Sequence, residues 1–292
     1  MVRFLRHFFK ELFGMLFLVV GVTALLYLIF NLMPGEFAGK GSGFEGYVNL
    51  LRRLFTFQFG TSIVSGRDIN SIVFPAFRNT LILTIGSIFL SVLISVPIGI
   101  FCAFRGFETY SWPLTILSYV LSSIPVFYLG YLLLYLFSRY TGYLPIFYPH
   151  GAERGNPVLS YVLPILVLGF GNESISEIVR LISDELRRVM HTNYVTASKA
   201  RGEAVLRSSF HEGLLIPIVS IIFSKVPFII GGAVIVEHVF NWPGMGRLAF
   251  QSTLDRDLPV LLVITFLSVI CVRSGMLIKE MLLLSINPER RA

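Results

Sequence analysis

The chain has 292 residues and a formal net charge of +7, and 54% of its residues are hydrophobic whereas only 14% are charged. Soluble domains carry about a quarter charged residues, so this composition excludes an ordinary soluble fold and is typical of a membrane protein. The two cysteines, Cys102 and Cys271, stand in apolar runs without the spacing of a metal or redox pair. We therefore expect no cofactor, no metal and no nucleic-acid partner.

Six apolar runs predict an all-α membrane protein with six transmembrane helices, because about 20 apolar residues cross the hydrocarbon core and a helix satisfies its own backbone there. The predicted spans are Leu12–Met33, Leu81–Phe104, Trp112–Ser138, Val158–Leu181, Leu214–Val236 and Pro259–Ile278. No small-residue cleavage site follows the first run, so we expect it to be a retained helix rather than a signal peptide. Lys and Arg are nearly twice as dense on the side that carries both termini, which places the termini in the cytoplasm.

The chain divides into three predicted parts. Residues 1–74 form a first transmembrane helix with an external segment, 75–284 form the main transmembrane domain, and 285–292 form a cytoplasmic tail. In the external segment, an amphipathic stretch is expected around Tyr47–Phe57. The nearby Gly41–Gly46 matches G-x-G-x-x-G, but a dinucleotide site needs a preceding strand. Here the glycines follow a membrane span, which favours a linker.

Charged residues inside the spans are candidates for a polar translocation path. Insertion of one charge at the bilayer centre costs about 2.5–3.5 kcal/mol, so such side chains face protein or water rather than lipid. The candidates are Glu173, Glu177, Lys225 and Glu237. An interhelical ion pair, or a fourth span that ends earlier, explains the first three equally well. Arg273 lies near the inner end of the sixth span, and we expect it to snorkel towards the interface.

Enzymatic chemistry has no candidate residues in this sequence. The phosphate loop G-x-x-x-x-G-K-[ST] is absent, so ATP hydrolysis by that route is excluded. No nucleophile–base or metal-ligand set occurs in the spans, and we therefore expect a transport protein and no catalytic residue. A channel or secondary transporter independent of ATP is the main alternative, and a scaffolding subunit is another.

The segment Asn193–Gly202 lies in the longest basic cytoplasmic loop. Its composition predicts a short helix that ends at a glycine, because glycine tolerates the left-handed conformation that closes a helix. Ala197, Ser198 and Ala200 are small enough to admit a partner surface, and Lys199 and Arg201 supply charge. From the residues alone, an ordinary amphipathic loop explains this composition as well.

Several motifs resemble, in order along the chain, those of the permease subunits of binding-protein-dependent ATP-binding-cassette (ABC) importers of the oligopeptide/dipeptide/nickel branch. The segment Val195–Gly202 is similar to the coupling-loop signature of that family, E-A-A-x-x-x-G. Where the family usually has Asp-Pro after its first L-P-G, this chain has Glu36-Phe37. The other matching segments are Leu32–Gly35, Phe59–Ser62 with Gly66-Arg67, Ser123–Gly130, Gly142–Pro145, Gly231–Arg247 and Asn287–Arg290.

This resemblance implies a type I ABC importer permease fold and an assembly in the cell (inner, cytoplasmic) membrane. The implied partners are a similar but distinct second permease, two cytoplasmic ATPase subunits and an external substrate-binding protein. Peptides are the usual substrates of this branch, whereas nickel chelates and oligosaccharides stay open. The residues implied to dock on the ATPase are Tyr194, Ala197, Ser198, Lys199, Ala200, Arg201, Gly202 and Glu203.

Overall fold

The computed structural model describes residues 2–32, 43–105, 113, 116, 119–120, 123–147, 157–171, 174–202, 204 and 214–286. This part of the chain contains ten named helices and no strand, and it has one isolated bridge between Thr61 and Asp68. The helices are α1 Val2–Leu32, α2 Phe44–Phe55, α3 Ile69–Arg105, α4 Val126–Thr141, α5 Pro157–Phe170, α6 Ser174–Met190, α7 Asn193–Ala200, α8 Ile216–Val239, α9 Met245–Leu254 and α10 Leu258–Ile286.

Three of the described helices are long and apolar enough to cross a bilayer, over Phe9–Ile29 in α1, Ile69–Phe104 in α3 and Leu258–Ser285 in α10. Helices α5 and α6 make a fourth if they are counted as one span, since their axes differ by 52° across a short break. The fold is therefore helical and membrane-like, as predicted, while six spans stay a prediction.

The third predicted span is not one continuous helix. Residues 119–120 are helical, but the helix stops at 123–125 and α4 begins anew at Val126. Pro125 has extended backbone angles, φ −57° and ψ 136°, and the residue before a proline is also pushed out of the helical region. The predicted third span over 112–138 is therefore interrupted at this proline.

The fourth predicted span is also broken. It was expected over 158–181, but α5 ends at Phe170 and α6 continues to Met190. Gly171, at the break, lies against the first residue of α4: a Cβ added there would be 2.8 Å from Val126 Cγ2 and 2.9 Å from the Val167 carbonyl oxygen. The interruptions of the third and fourth spans therefore meet at one point.

Helix α3 is at the centre of the bundle and packs on α5, α6, α8, α9 and α10. One of its faces carries small hydroxyl side chains that are buried, and Ser91 Oγ donates to the Gly169 carbonyl at 2.8 Å. Small residues let membrane helices approach closely and bond across the interface. The buried hydroxyl residues of this face are Thr80, Thr84, Ser87, Ser91 and Ser95.

Helix α1 packs along α10, and one ion pair joins them. Arg273 Nη2 lies 3.6 Å from Glu11 Oε2, and both side chains are about three-quarters buried. Gly14 leaves room for the guanidinium, because a Cβ at this position would meet Arg273 Nη2 at 2.5 Å. Arg273, which is expected to snorkel towards the interface, thus has an acidic partner on α1.

The external segment contains the predicted amphipathic helix. Helix α2 spans Phe44–Phe55, close to the predicted stretch, and Gly43 precedes it with φ 114°. The Tyr47 hydroxyl donates to the Val20 carbonyl at 2.7 Å, so α2 lies against α1. Part of the G-x-G-x-x-G match thus lies at the start of a helix, whereas Gly41 and Ser42 lie outside the described residues.

The contacts define two ends of the bundle. At the first, which we call the α7 end, Arg187 of α6 donates to the Cys102 carbonyl near the end of α3, and the start of α1 pairs with the second half of α10. At the second, which we call the Asp257 end, the Ser62 hydroxyl donates to the Asp257 carboxylate.

The expected boundary between residues 74 and 75 falls inside α3, which continues through it.

Candidate functional site

The segment predicted to couple to a partner forms helix α7. Thr192 precedes it in an extended conformation, and the helix runs over eight residues, Asn193–Ala200. Gly202 has φ 80°, and its backbone N–H donates to the Lys199 carbonyl at 3.0 Å. The predicted short helix that ends at a glycine is therefore confirmed.

Helix α7 is anchored on one face and open on the other. Val195 is fully buried and Ser198 nearly so, and Arg201 Nη2 donates to Ser198 Oγ at 3.1 Å. A Cβ added to Gly202 would meet nothing within 4 Å. The exposed members of the predicted set are Tyr194, Ala197, Lys199, Ala200, Arg201 and Gly202, whereas Glu203 lies outside the described residues. The open face thus combines small side chains with two cations.

Helix α7 connects mechanically to the centre of the bundle through α6. Only two residues separate α6 from α7, and the Thr192 hydroxyl donates to the Val189 carbonyl at 2.6 Å. Helix α6 packs tightly on α3. Arg187 Nη2 donates to the Cys102 carbonyl at 2.6 Å. Ile182 packs against Gly99, where an added Cβ would lie only 3.0 Å from the Ile182 Cβ. Helix α7 is therefore connected to α3 through the contacts of α6.

The predicted path residues do not form one described cluster. Glu177 is half-buried in the first turn of α6. Glu173 and the side chain of Lys225 lie outside the described part. Glu237 lies at the end of α8, far along the chain from α6 and next to different neighbours.

Glu237 is enclosed by hydrogen-bond donors. Its side chain has no exposed surface. Thr80 Oγ1 donates to Oε1 at 2.6 Å, and the Arg247 backbone N–H donates to Oε2 at 2.9 Å. The Met245 N–H in turn donates to Thr80 Oγ1 at 2.8 Å. Glu237 is therefore held in a buried hydrogen-bond network, and its path role stays a prediction.

The residues that follow α8 complete this cluster. Trp242 Nε1 donates to the Asn79 carbonyl at 3.1 Å, and Asn79 Nδ2 donates to the Pro243 carbonyl at 2.9 Å. Asn241 has φ 54° and its amide donates to the Phe147 carbonyl at 2.7 Å. The motif Gly231–Arg247 thus ties α8 to α3, α9 and the segment after α4.

Sequence reasoning missed the partners of this cluster. Thr80 and Asn79 precede the second predicted span, and their polarity next to a long apolar run is the only signal they carry. Asp257 was also missed: it accepts from the Ser62 hydroxyl and from the Ile63 N–H at 3.4 Å. The Phe59–Ser62 motif is thereby fixed to the start of α10.

Residues 95–288 match the family described as "Binding-protein-dependent transport system inner membrane component". The match covers more than half of the chain, so this chain belongs to that family of membrane-embedded permease subunits. The resemblance noted in the sequence is therefore confirmed.

Two curated relatives cover almost the whole chain. The Oligopeptide transport system permease protein AppB of Bacillus subtilis is 27% identical over 304 residues, which are 93% of this chain and 95% of the relative. The Glutathione transport system permease protein GsiC of Pectobacterium atrosepticum is 30% identical over 318 residues, 98% and 99% of the two chains.

A solved structure has a similar fold. A chain of the MetNI methionine ABC transporter, in inward-facing conformations, aligns with a TM-score of 0.59 at 18% identity, over 74% of this chain and 96% of its own. At this identity the likeness concerns the fold alone. It supports the expected importer permease architecture, and the helical composition of the described residues agrees with it.

Proposed function

We propose that this chain is one of two permease subunits of an ABC importer for peptides, paired with a distinct second permease in the cytoplasmic membrane. Its relatives are named as oligopeptide and glutathione transport permeases, which supports a substrate with peptide bonds. Two ATPase subunits and an external binding protein complete the assembly. Membership in a binding-protein-dependent family leaves the ATP-independent channel or secondary transporter without support.

The observation that carries this proposal is the open face of α7. A short helix with exposed small residues can enter a cleft, and Lys199 and Arg201 can pair with acidic groups at its rim. ATP-driven closure of the ATPases would push α7. Because α6 follows after two residues and is fastened to α3, the push would tilt the central helices.

The topology that fits this mechanism has six spans and both termini in the cytoplasm. The start of α1 and the end of α10 lie at the α7 end of the bundle, which supports that arrangement. We propose that α4 with the helical residues before it forms the third span, and that α5 and α6 form the fourth. Residues 1–74, 75–284 and 285–292 then act as anchor, permease unit and tail.

The path is proposed to pass the break between α5 and α6 next to Glu177, with Glu173 and Lys225 as further candidates from the sequence. Glu177 is only half-buried, so a solute in a central cavity can reach it. Cysteines placed at 173 and 177 are expected to react with polar thiol reagents. Protection of both in every nucleotide state would favour a buried structural pair instead.

The coupling role is tested by Gly202→Asp and Ala200→Glu in the reconstituted transporter. Both add a carboxylate to the open face of α7, and we expect ATP-dependent uptake of peptide to be lost while membrane insertion is retained. Gly142→Asp is the matched control, because Gly142 also has a positive φ of 73° and open space around it but lies outside α7. Normal coupling in both α7 variants, or an equal loss in the control, would contradict the assignment.

A further inference from the structure

One face of α4 exposes a row of tyrosines. Val126, Gly130 and Leu134 form the buried stripe of this helix. The opposite face carries Tyr128, Tyr131 and Tyr135, which are 55%, 56% and 64% exposed. At 3.6 residues per turn, these three side chains fall within an arc of about 60°. They therefore form one surface, which we call the tyrosine face.

The tyrosine face differs from an exposed stripe of the long apolar helix α3. That stripe consists of Ile82, Ile85, Phe89 and Leu93. Those side chains carry no polar atom, as expected for a surface that contacts lipid tails. The tyrosine face instead presents three phenolic hydroxyls, each a donor and acceptor that finds no partner in hydrocarbon.

If the start of α5 is taken as the outer membrane surface, the row reaches deeper than an interfacial tyrosine belt. Tyrosines are enriched where the bilayer meets water. However, the start of α4 touches Gly171 just beyond the inner end of α5, and the 14 residues of α5 extend over about 21 Å. Tyr128 therefore lies roughly 15–18 Å below the outer end of α5, which is about half of a 30 Å hydrocarbon core.

We propose that Tyr128, Tyr131 and Tyr135 line the translocation path and bind the backbone of an extended peptide, a role that rests on the proposed function above. Arg139, one turn beyond Tyr135 and also exposed, is the cation on this face of α4. Arg139 pairs with the carboxylate of the peptide when the peptide enters from the outer side.

The spacing suits a substrate whose sequence varies. Steps of three and four residues place the phenols about 4.5 and 6 Å apart along α4, while an extended peptide advances about 3.3 Å per residue. Successive hydroxyls can thus bond to peptide N–H and C=O groups, which every peptide has, and the rings can pack on its side chains. Neither contact depends on the sequence of the peptide.

The first test labels single cysteines in the assembled transporter. In a background with Cys102→Ala and Cys271→Ala, Tyr131→Cys is exposed to a membrane-impermeant methanethiosulfonate reagent, with and without trialanine as the solute. We expect labelling, and slower labelling with trialanine present. Leu93→Cys on α3, which is 58% exposed, is the control and should stay unlabelled. If Tyr131→Cys stays unlabelled, the tyrosine face contacts lipid. If Tyr131→Cys can be cross-linked to the second permease, the tyrosine face is a subunit interface. Either result overturns the proposal.

A second test needs no cysteine background. Tyr131→Ala is expected to lower the maximal rate of ATP-dependent trialanine uptake about tenfold, since it removes a hydrogen bond and a ring contact to the solute in the path. Tyr131→Phe should lower it less, and Leu93→Ala should leave it unchanged. Equal values for Tyr131→Ala and Leu93→Ala would overturn the tyrosine assignment. Absence of ATP-dependent trialanine uptake in the wild type would instead refute the proposed function.

Discussion

Thr80 on α3 donates its hydroxyl hydrogen to the carboxylate of Glu237 on α8, and the two oxygens are 2.6 Å apart. Thr80 Oγ1 also accepts a hydrogen from the Met245 backbone. The other carboxylate oxygen accepts from the Arg247 N–H. Both oxygens of Glu237 thus face hydrogen-bond donors, whereas an amide at this position would offer only one acceptor oxygen.

Glu237→Gln should destabilise the protein although it preserves shape. The amide has one acceptor oxygen in place of two in a site without exposed surface, so Thr80 loses its donation to residue 237 or the Arg247 N–H loses its acceptor, and one lost hydrogen bond costs about 1 kcal/mol. Thermal unfolding of the purified transporter should show a transition lower by several degrees. Thr80→Val should lower it similarly, whereas Thr80→Ser, which keeps the hydroxyl, should have a smaller effect. Equal transition temperatures for Glu237→Gln and the wild type would refute this network.

Gly246→Ala should be among the most damaging single-methyl additions in the chain. A Cβ at this position would lie 2.6 Å from the Val234 Cα, a backbone atom that cannot swing away. Overpacking of this kind costs about 1–3 kcal/mol, and it would separate α9 from α8. The amount of folded protein in a fluorescence-monitored gel filtration assay should fall.

The matched control is Gly21→Ala on α1. A Cβ there meets nothing within 4 Å, and alanine is favoured over glycine in a helix by about 1 kcal/mol. Its folded yield should equal or exceed that of the wild type. If Gly246→Ala behaved like Gly21→Ala, the close contact between α8 and α9 would be wrong.

Local features were predictable from the sequence, and long-range partners were not. The helix that ends at Gly202 was predicted because capping depends on a few adjacent residues. Glu237 was recognised as unusual, but its partner Thr80 lies 157 residues earlier, and no local pattern encodes that pairing. Pro125 marks a site in the third predicted span where a helix can bend, but hydropathy continues across it, so composition alone does not show that the helix stops there.

The pairing of Glu11 with Arg273 should appear as energetic coupling between α1 and α10. Glu11→Lys places a second cation beside the guanidinium, whose nitrogen lies 3.6 Å from the carboxylate in the wild type. The single variant should lower the unfolding temperature, and the charge swap Glu11→Lys with Arg273→Glu should restore part of the loss. Because both groups are partly exposed, the coupling in a double-mutant cycle should be only about 1 kcal/mol. Additive effects of the two changes would show that the pair contributes nothing.

The contact between the two helix breaks predicts a second-site rescue. In Gly171→Ala the added methyl would lie 2.8 Å from Val126 Cγ2 and 2.9 Å from the Val167 carbonyl oxygen. We expect a loss of about 1–3 kcal/mol and impaired uptake, since the two breaks cannot stay in contact. Val126→Ala removes the first of these clashes but leaves the carbonyl in place. The double variant should therefore recover unfolding temperature and uptake only in part, and Leu134→Ala, a buried residue on the same stripe of α4, should give no recovery. Full additivity of Gly171→Ala and Val126→Ala would show that the breaks do not meet.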